Sequence, residues 1–195
     1  MLQLVPSAMI LLFLSLVLGV LLGAGWFVYG VARGIPYWRA GLPLACALAV
    51  YGVLLLAGSA TSSERHVPLG SSLCFDDWCV SVTGVQAASA AGSERTVTAD
   101  VRVFSEAKRV TQRGSGPRIF LIDDRRRWFE AMPSPRDTPL DAELGPGEAF
   151  ATRVHARVPP GTRIVAVRVW EGGWLDRLVP FDEESPFHGK TFYEV

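Results

Sequence analysis

From Met1 to Ala32 the chain carries no charged side chain, and from Ser7 onward it is dense in Leu, Val, Ile, Phe and Met. A helix of that length, at ~1.5 Å per residue, exceeds the ~30 Å hydrocarbon core of a bilayer. A signal peptide has a basic start and an apolar run of only about 7 to 15 residues, so this segment reads as an uncleaved anchor. A second run, Leu42 to Ala60, is also free of charge. Its Pro43 sits in the first helical turn, where a missing N–H costs nothing. Two spans are expected, at about 7–32 and 42–60, forming a transmembrane hairpin over residues 1–62. Leu44-Ala45-Cys46 has the outline of a lipidation box, but the apolar run continues past the cysteine and reads as a span.

The connection Arg33-Gly-Ile-Pro-Tyr-Trp-Arg39 holds the only two charges of the first 60 residues, beside Trp26, Tyr29, Tyr37 and Trp38. Positive charge marks the cytoplasmic side and aromatic rings favour the headgroup level. The loop is therefore expected inside the cell, with both ends and the C-terminal domain outside. Gly19 and Gly23 form a small-xxx-small pair of the kind that lets helices approach closely.

Beyond residue 60 the composition changes. The remaining stretch is one domain's worth of chain, with 17 basic and 19 acidic residues. That balance gives no electrostatic case for nucleic acid as a partner. After a breaker-rich linker at 63–72, short runs of period two are separated by Gly, Pro, Asp and Ser. Val97, Ala99, Val101 and Val103 alternate with polar residues, as do Phe150, Thr152, Val154, Ala156 and Val158. Val165, Val167 and Val169 form a third stripe, leading through Gly172-Gly173 to Trp174–Phe181. About seven short strands predict an all-β antiparallel sandwich over 73–195, with a C-terminal tail from Phe181.

In Leu73-Cys-Phe-Asp-Asp-Trp-Cys-Val80, a two-residue turn at Asp76-Asp77 would set Phe75 opposite Trp78, Cys74 opposite Cys79, and Leu73 opposite Val80. Directly opposed cysteines lie close to bonding distance, which predicts a disulfide on the outer face in an oxidising compartment. Cys46 is left alone in the apolar segment. The alternative use of Cys74 and Cys79 is as soft ligands for Zn or Cu(I), although no second ligand pair stands at a standard spacing. Two aspartates between the thiols would raise their pKa values, which argues against thiol exchange.

A second hairpin, Ile119–Glu130, has the form D-x-x-x-R-x-[WF]. With the turn Leu144-Gly-Pro-Gly-Glu148 and the strand ending at Val158-Pro159, it resembles bacterial extracytoplasmic immunoglobulin-like domains of the telokin-like kind, whose function is unknown. The resemblance covers roughly Val82 to Trp170. It departs from the family in its helical anchor and in Arg125–Arg127, where the family has a glycine. It implies an immunoglobulin-like sandwich with an accessory or binding role, and carries over no catalytic residue.

Catalytic motifs such as G-x-S-x-G, H-E-x-x-H and the P-loop are missing from the sequence. The three histidines, His66, His155 and His188, are far apart, and no cofactor is implied. The candidate partner surface consists of Trp170 and Trp174, flanking Glu171-Gly-Gly173, with the cationic run Arg125, Arg126 and Arg127. Use of 17 Arg against 2 Lys, with no Asn, matches a GC-rich bacterial genome. The whole reads as a non-catalytic binding or scaffolding protein of the bacterial cell membrane, multi-pass, with a protein partner outside the membrane. The alternative is an extracytoplasmic metal-binding protein.

Overall fold

The computed structural model describes residues 4–87, 95–172 and 189–195. The chain forms a helical unit, reaching Ser63, and a β unit that begins at Glu64.

The helical unit consists of α1 (Leu4–Ala32), the single-turn α2 (Tyr37–Ala40) and α3 (Leu42–Thr61). Gly34, at φ +76°, stops α1. Its N–H donates to the Val31 carbonyl at 3.0 Å, and the Ile35 N–H donates to the Gly30 carbonyl at 2.9 Å. This pair of bonds satisfies carbonyls that the helix end leaves open. Glycine lets the neighbouring segments come close. A Cβ on Gly23 would lie 3.0 Å from the Leu44 Cα, and one on Gly30 would lie 2.9 Å from the Ala40 Cβ. Gly19 meets nothing within 4 Å, so Gly30 takes the place expected of it.

Among the described residues one helix is long and apolar enough to cross a membrane, through Leu14–Ala32, 19 residues of mean hydropathy 2.0. Where the second span is expected, the described residues hold a shorter apolar helix, Leu42–Ala57.

The β unit comprises β1 (Arg65–Pro68), β2 (Leu73–Phe75), β3 (Trp78–Ala87), β4 (Arg95–Ser105), β5 (Arg118–Asp123), β6 (Trp128–Pro133), β7 (Ala149–Val158), β8 (Ile164–Trp170) and β9 (Thr191–Glu194). Their lateral order is β1-β9-β8-β5-β6-β7-β4-β3-β2. Strand β6 turns the corner: its first residues pair with β5 (Ile119↔Ala131), and its end pairs with β7 (Met132↔His155). The first sheet is thus β1-β9-β8-β5-β6 and the second β6-β7-β4-β3-β2.

The inward faces of both sheets share one core. It includes Trp78, Val80 and Val82 of β3, Val97 to Val103 on β4, Val154 to Val158 on β7, Ile119 and Leu121 of β5, Val167 and Val169 of β8, and Tyr193 of β9. The Tyr193 hydroxyl donates to the Val80 carbonyl at 3.1 Å and so ties the first sheet to the second. Gly114 makes room for Trp78, because a Cβ there would come within 2.9 Å of the indole.

The hairpin Leu73–Val80 has the register expected from its alternation, and β4 and β7 bury the expected residues. Other features differ. The described residues form nine strands where about seven were expected, and the linker at 63–72 contains β1. That strand pairs with β9 in parallel, so the sheet is mostly rather than wholly antiparallel. Strand β8 buries Ala166 and Arg168 as well as Val167 and Val169, so its outer face is covered too. The strand expected at Trp174–Phe181 lies outside the described residues, as does the tail up to residue 188. The end of that tail is β9.

Candidate functional site

Cys74 and Cys79, on adjacent strands β2 and β3, are joined by a disulfide. Asp76, at φ 54°, makes the tight turn between them. The bond is not wholly on an outer face as expected: Cys74 is exposed, whereas Cys79 is buried, and Ser81 beside it on that face is 5% exposed. The Glu106 N–H donates to the Asp77 carbonyl, which holds Glu106 against the hairpin. Its carboxylate and the two sulfurs lie within 4.8 Å of one another. In the bonded form the sulfurs offer no thiolate, so a metal site there needs prior reduction.

The cationic run is built as a turn around one carboxylate. Asp123, buried at the end of β5, accepts from the Arg125 N–H (3.0 Å) and Arg127 N–H (2.7 Å) through Oδ1, and from Arg127 Nε (2.7 Å) through Oδ2. These bonds place Arg126 at φ 60°, and the Arg127 guanidinium lies 5.6 Å from the Phe129 ring centre. Arg127 is therefore a structural member of the turn, while Arg125 and Arg126 face solvent.

Burial pushes the Asp123 carboxyl up, but the hydrogen bonds from Arg127 and Arg125 and the Arg127 charge outweigh it and hold the group below the usual carboxylate range. A carboxyl depressed on folding contributes stability that is fully present above its unfolded pKa of about 3.9 and is lost as pH falls through the folded value. Asp123→Asn is expected to lower the melting temperature at pH 7 and to flatten its fall below about pH 4. Thermal melts from pH 7 to 2 check this; parallel curves for the two proteins would contradict it.

Trp170 pairs with Arg118 at the start of β5, whereas Arg125–Arg127 follows the end of that strand. About 16 Å of strand separates them, so they do not form one surface. Trp174 lies outside the described residues. Missed in the sequence was an aromatic and cationic cluster on the outer face of the first sheet. Arg118 bonds Glu130 at 2.7 Å and lies against Phe120 and Trp170. Trp128 packs edge-on to Phe120 and Phe192 and covers the Arg168 guanidinium at 5.6 Å. Its sequence signal was the aromatic and cationic residues alternating with apolar ones on β5, β6 and β8.

The outer face of the second sheet holds a cleft. Register places Gly84, Asp100 and Arg153 in one row across β3, β4 and β7, Gln86, Thr98 and His155 in the next, and Arg102 beside Ala151 on the other side. A bulge at Thr83 shifts β3, and the Thr83 hydroxyl donates to the Asp100 carbonyl at 3.2 Å. Asp100 accepts from Gln86 Nε2 (3.2 Å) and Arg153 Nε (3.1 Å). Thr98 Oγ1 and His155 Nδ1 share a hydrogen bond of 2.9 Å, and His155 Nε2 is 3.7 Å from Asp137 Oδ2. Asp137 closes a turn begun at Ser134, and the Thr152 hydroxyl, donating to the Thr138 carbonyl at 2.7 Å, fastens that loop to β7.

The order hydroxyl, imidazole, carboxylate is that of a nucleophilic triad. The backbone around Thr98 is paired to β3 on one side and β7 on the other, so it presents no pair of amides to a developing oxyanion. The arrangement is suited to holding a ligand by hydrogen bonds.

No protein-family model matches the sequence, and no curated protein sequence does. Among solved structures, the chain is similar to an uncharacterised β-sandwich protein from Clostridium difficile 630, with a TM-score of 0.44 and 9% identity over 69% of this chain and 95% of that one. It is also similar to MPT63, a secreted protein from Mycobacterium tuberculosis, with a TM-score of 0.47 and 14% identity over 69% of this chain and 100% of that one.

Proposed function

We propose that this is a membrane-anchored protein that displays an immunoglobulin-like sandwich outside the bacterial cell membrane and works there by binding, without catalysis. The observation that carries the reading is the Cys74–Cys79 disulfide on a chain that also contains an apolar helix of spanning length. Structural disulfides persist in oxidising compartments and are rare in the cytosol. In the finer form of the reading, α1 and α3 both cross as a hairpin. The 20 residues of α3 rise ~30 Å, and local thinning of the bilayer accommodates its short apolar stretch. Arg33 and Arg39 then mark the cytoplasmic turn. The metal-binding alternative draws on Glu106 beside the two sulfurs, and requires the reduced form.

Labelling intact cells with a membrane-impermeant maleimide, in a Cys46→Ala variant, tests the placement. Cys74 is expected to react only after an impermeant reductant has been added. Labelling that requires lysis would place the domain in the cytoplasm, and ready labelling without reductant would favour the metal-binding alternative.

A further inference from the structure

We propose that the cleft on the outer face of β3, β4 and β7 binds a neutral, polyhydroxylated ligand, a pyranose unit, whose adjacent hydroxyls donate to Asp137 and accept from Arg102 and Arg153. This deepens the binding reading given above and rests on it.

The space has a cause in the sequence. Ala151 puts almost no side chain on a face otherwise filled by long polar residues, and the hollow beside it is about 480 Å³. A second hollow of about 230 Å³ adjoins it, and Asp100 and Arg153 border both. Together they fall in the range of small-ligand sites. The walls are pre-set, since Asp100 is fixed by Gln86 and Arg153 and the loop bearing Asp137 is fastened by Thr152.

The unspent hydrogen-bonding capacity names the ligand class. Among the described residues Arg102 has no carboxylate partner, and its guanidinium lies 5.4 Å from the Phe104 ring centre. Among the described residues the Asp137 carboxylate accepts no hydrogen bond and approaches His155, at 3.7 Å. Arg153 spends Nε on Asp100 and keeps its outer nitrogens at the surface. The cleft thus offers charged donors next to a charged acceptor. A hydroxyl both donates and accepts, so neighbouring hydroxyls on a sugar ring satisfy both together. Two aspartates and two arginines cancel, which leaves no net field to draw a charged polymer.

The test uses the full chain in micelles of a sugar-free detergent, with saturation-transfer NMR and calorimetry. The probes are D-glucose, cellobiose and citrate. Glucose is expected to bind weakly, and cellobiose several-fold more tightly because the second hollow continues the first. Asp137→Ala and Arg102→Met should each weaken binding at least about five-fold with little change in melting temperature, since Arg102 is exposed and the half-buried Asp137 carboxylate accepts no hydrogen bond from a described residue. Lys108→Met, outside the cleft, should leave it unchanged. Citrate bound in place of either sugar would overturn the proposal, as would sugar binding that both cleft variants retain in full. Neither result bears on the labelling outcome, so this inference can fail while the placement of the domain stands.

Discussion

A chain ending at Lys190 is expected to lose the fold of the β unit altogether. Strand β9 lies between β1 and β8, so its removal strips a pairing partner from each and leaves β1 without a paired strand. It also removes Tyr193, which is 0% exposed in the core and bonds across the two sheets to Val80. Losing a buried aromatic side chain costs about 3 to 5 kcal/mol, and uncovering neighbours such as Val167 adds about 1.5 to 3 kcal/mol each. A domain of this size has only ~5 to 15 kcal/mol in hand. Trypsin resistance and the near-ultraviolet dichroism of its buried tryptophan are the measurements. A cooperative melt close to that of the full chain would show that the first sheet closes without β9. Tyr193→Phe, which removes only the hydroxyl, should by contrast remain folded and lose about 1 kcal/mol.

Replacing both Cys74 and Cys79 by alanine is expected to cost about 2 kcal/mol, the chain-entropy value for so short a loop. For a domain of this size that is a fall in melting temperature of roughly 6 to 10 °C. The single Cys74→Ala variant should lose about as much, because it opens the same bond and leaves Cys79 buried as a thiol, which packs as a small hydrophobe. Reductant added to the native protein should move its melt to that of the double variant and leave the variant unmoved. If reductant shifts neither protein, the bond is not what braces this edge of the sheet.

Local alternation made several parts of the fold legible. Leu73–Val80 pairs as its period-two pattern dictates, because a one-residue slip would turn Trp78 and Val80 away from the core. The inward stripes of β4 and β7 follow from the same rule. Strand β1 was not legible: four residues with no apolar alternation look like linker, and only the distant β9 makes them a strand. The burial of Cys79 likewise depends on chain outside its hairpin. The cleft was hidden for a related reason. Thr98, Asp100, Arg153 and His155 look like solvated strand faces taken singly, and they converge only through the register of three strands, the bulge at Thr83 and a loop that delivers Asp137. Likewise Trp170 and Arg125 seemed parts of one surface until pairing set them at opposite ends of β5.

Because β1 pairs with β9, the domain has an order of biosynthesis built into it. The second sheet takes β2, β3 and β4 from consecutive stretches of chain, so that part can form while later strands are still being made. The strand that emerges first must wait for the last before its edge can close, and such distant pairings form slowly. Cys74 and Cys79, only five positions apart, meet as soon as their own hairpin forms. The sulfur bond is therefore positioned to close early, on a half-built domain, and to hold its first corner until the final strand arrives.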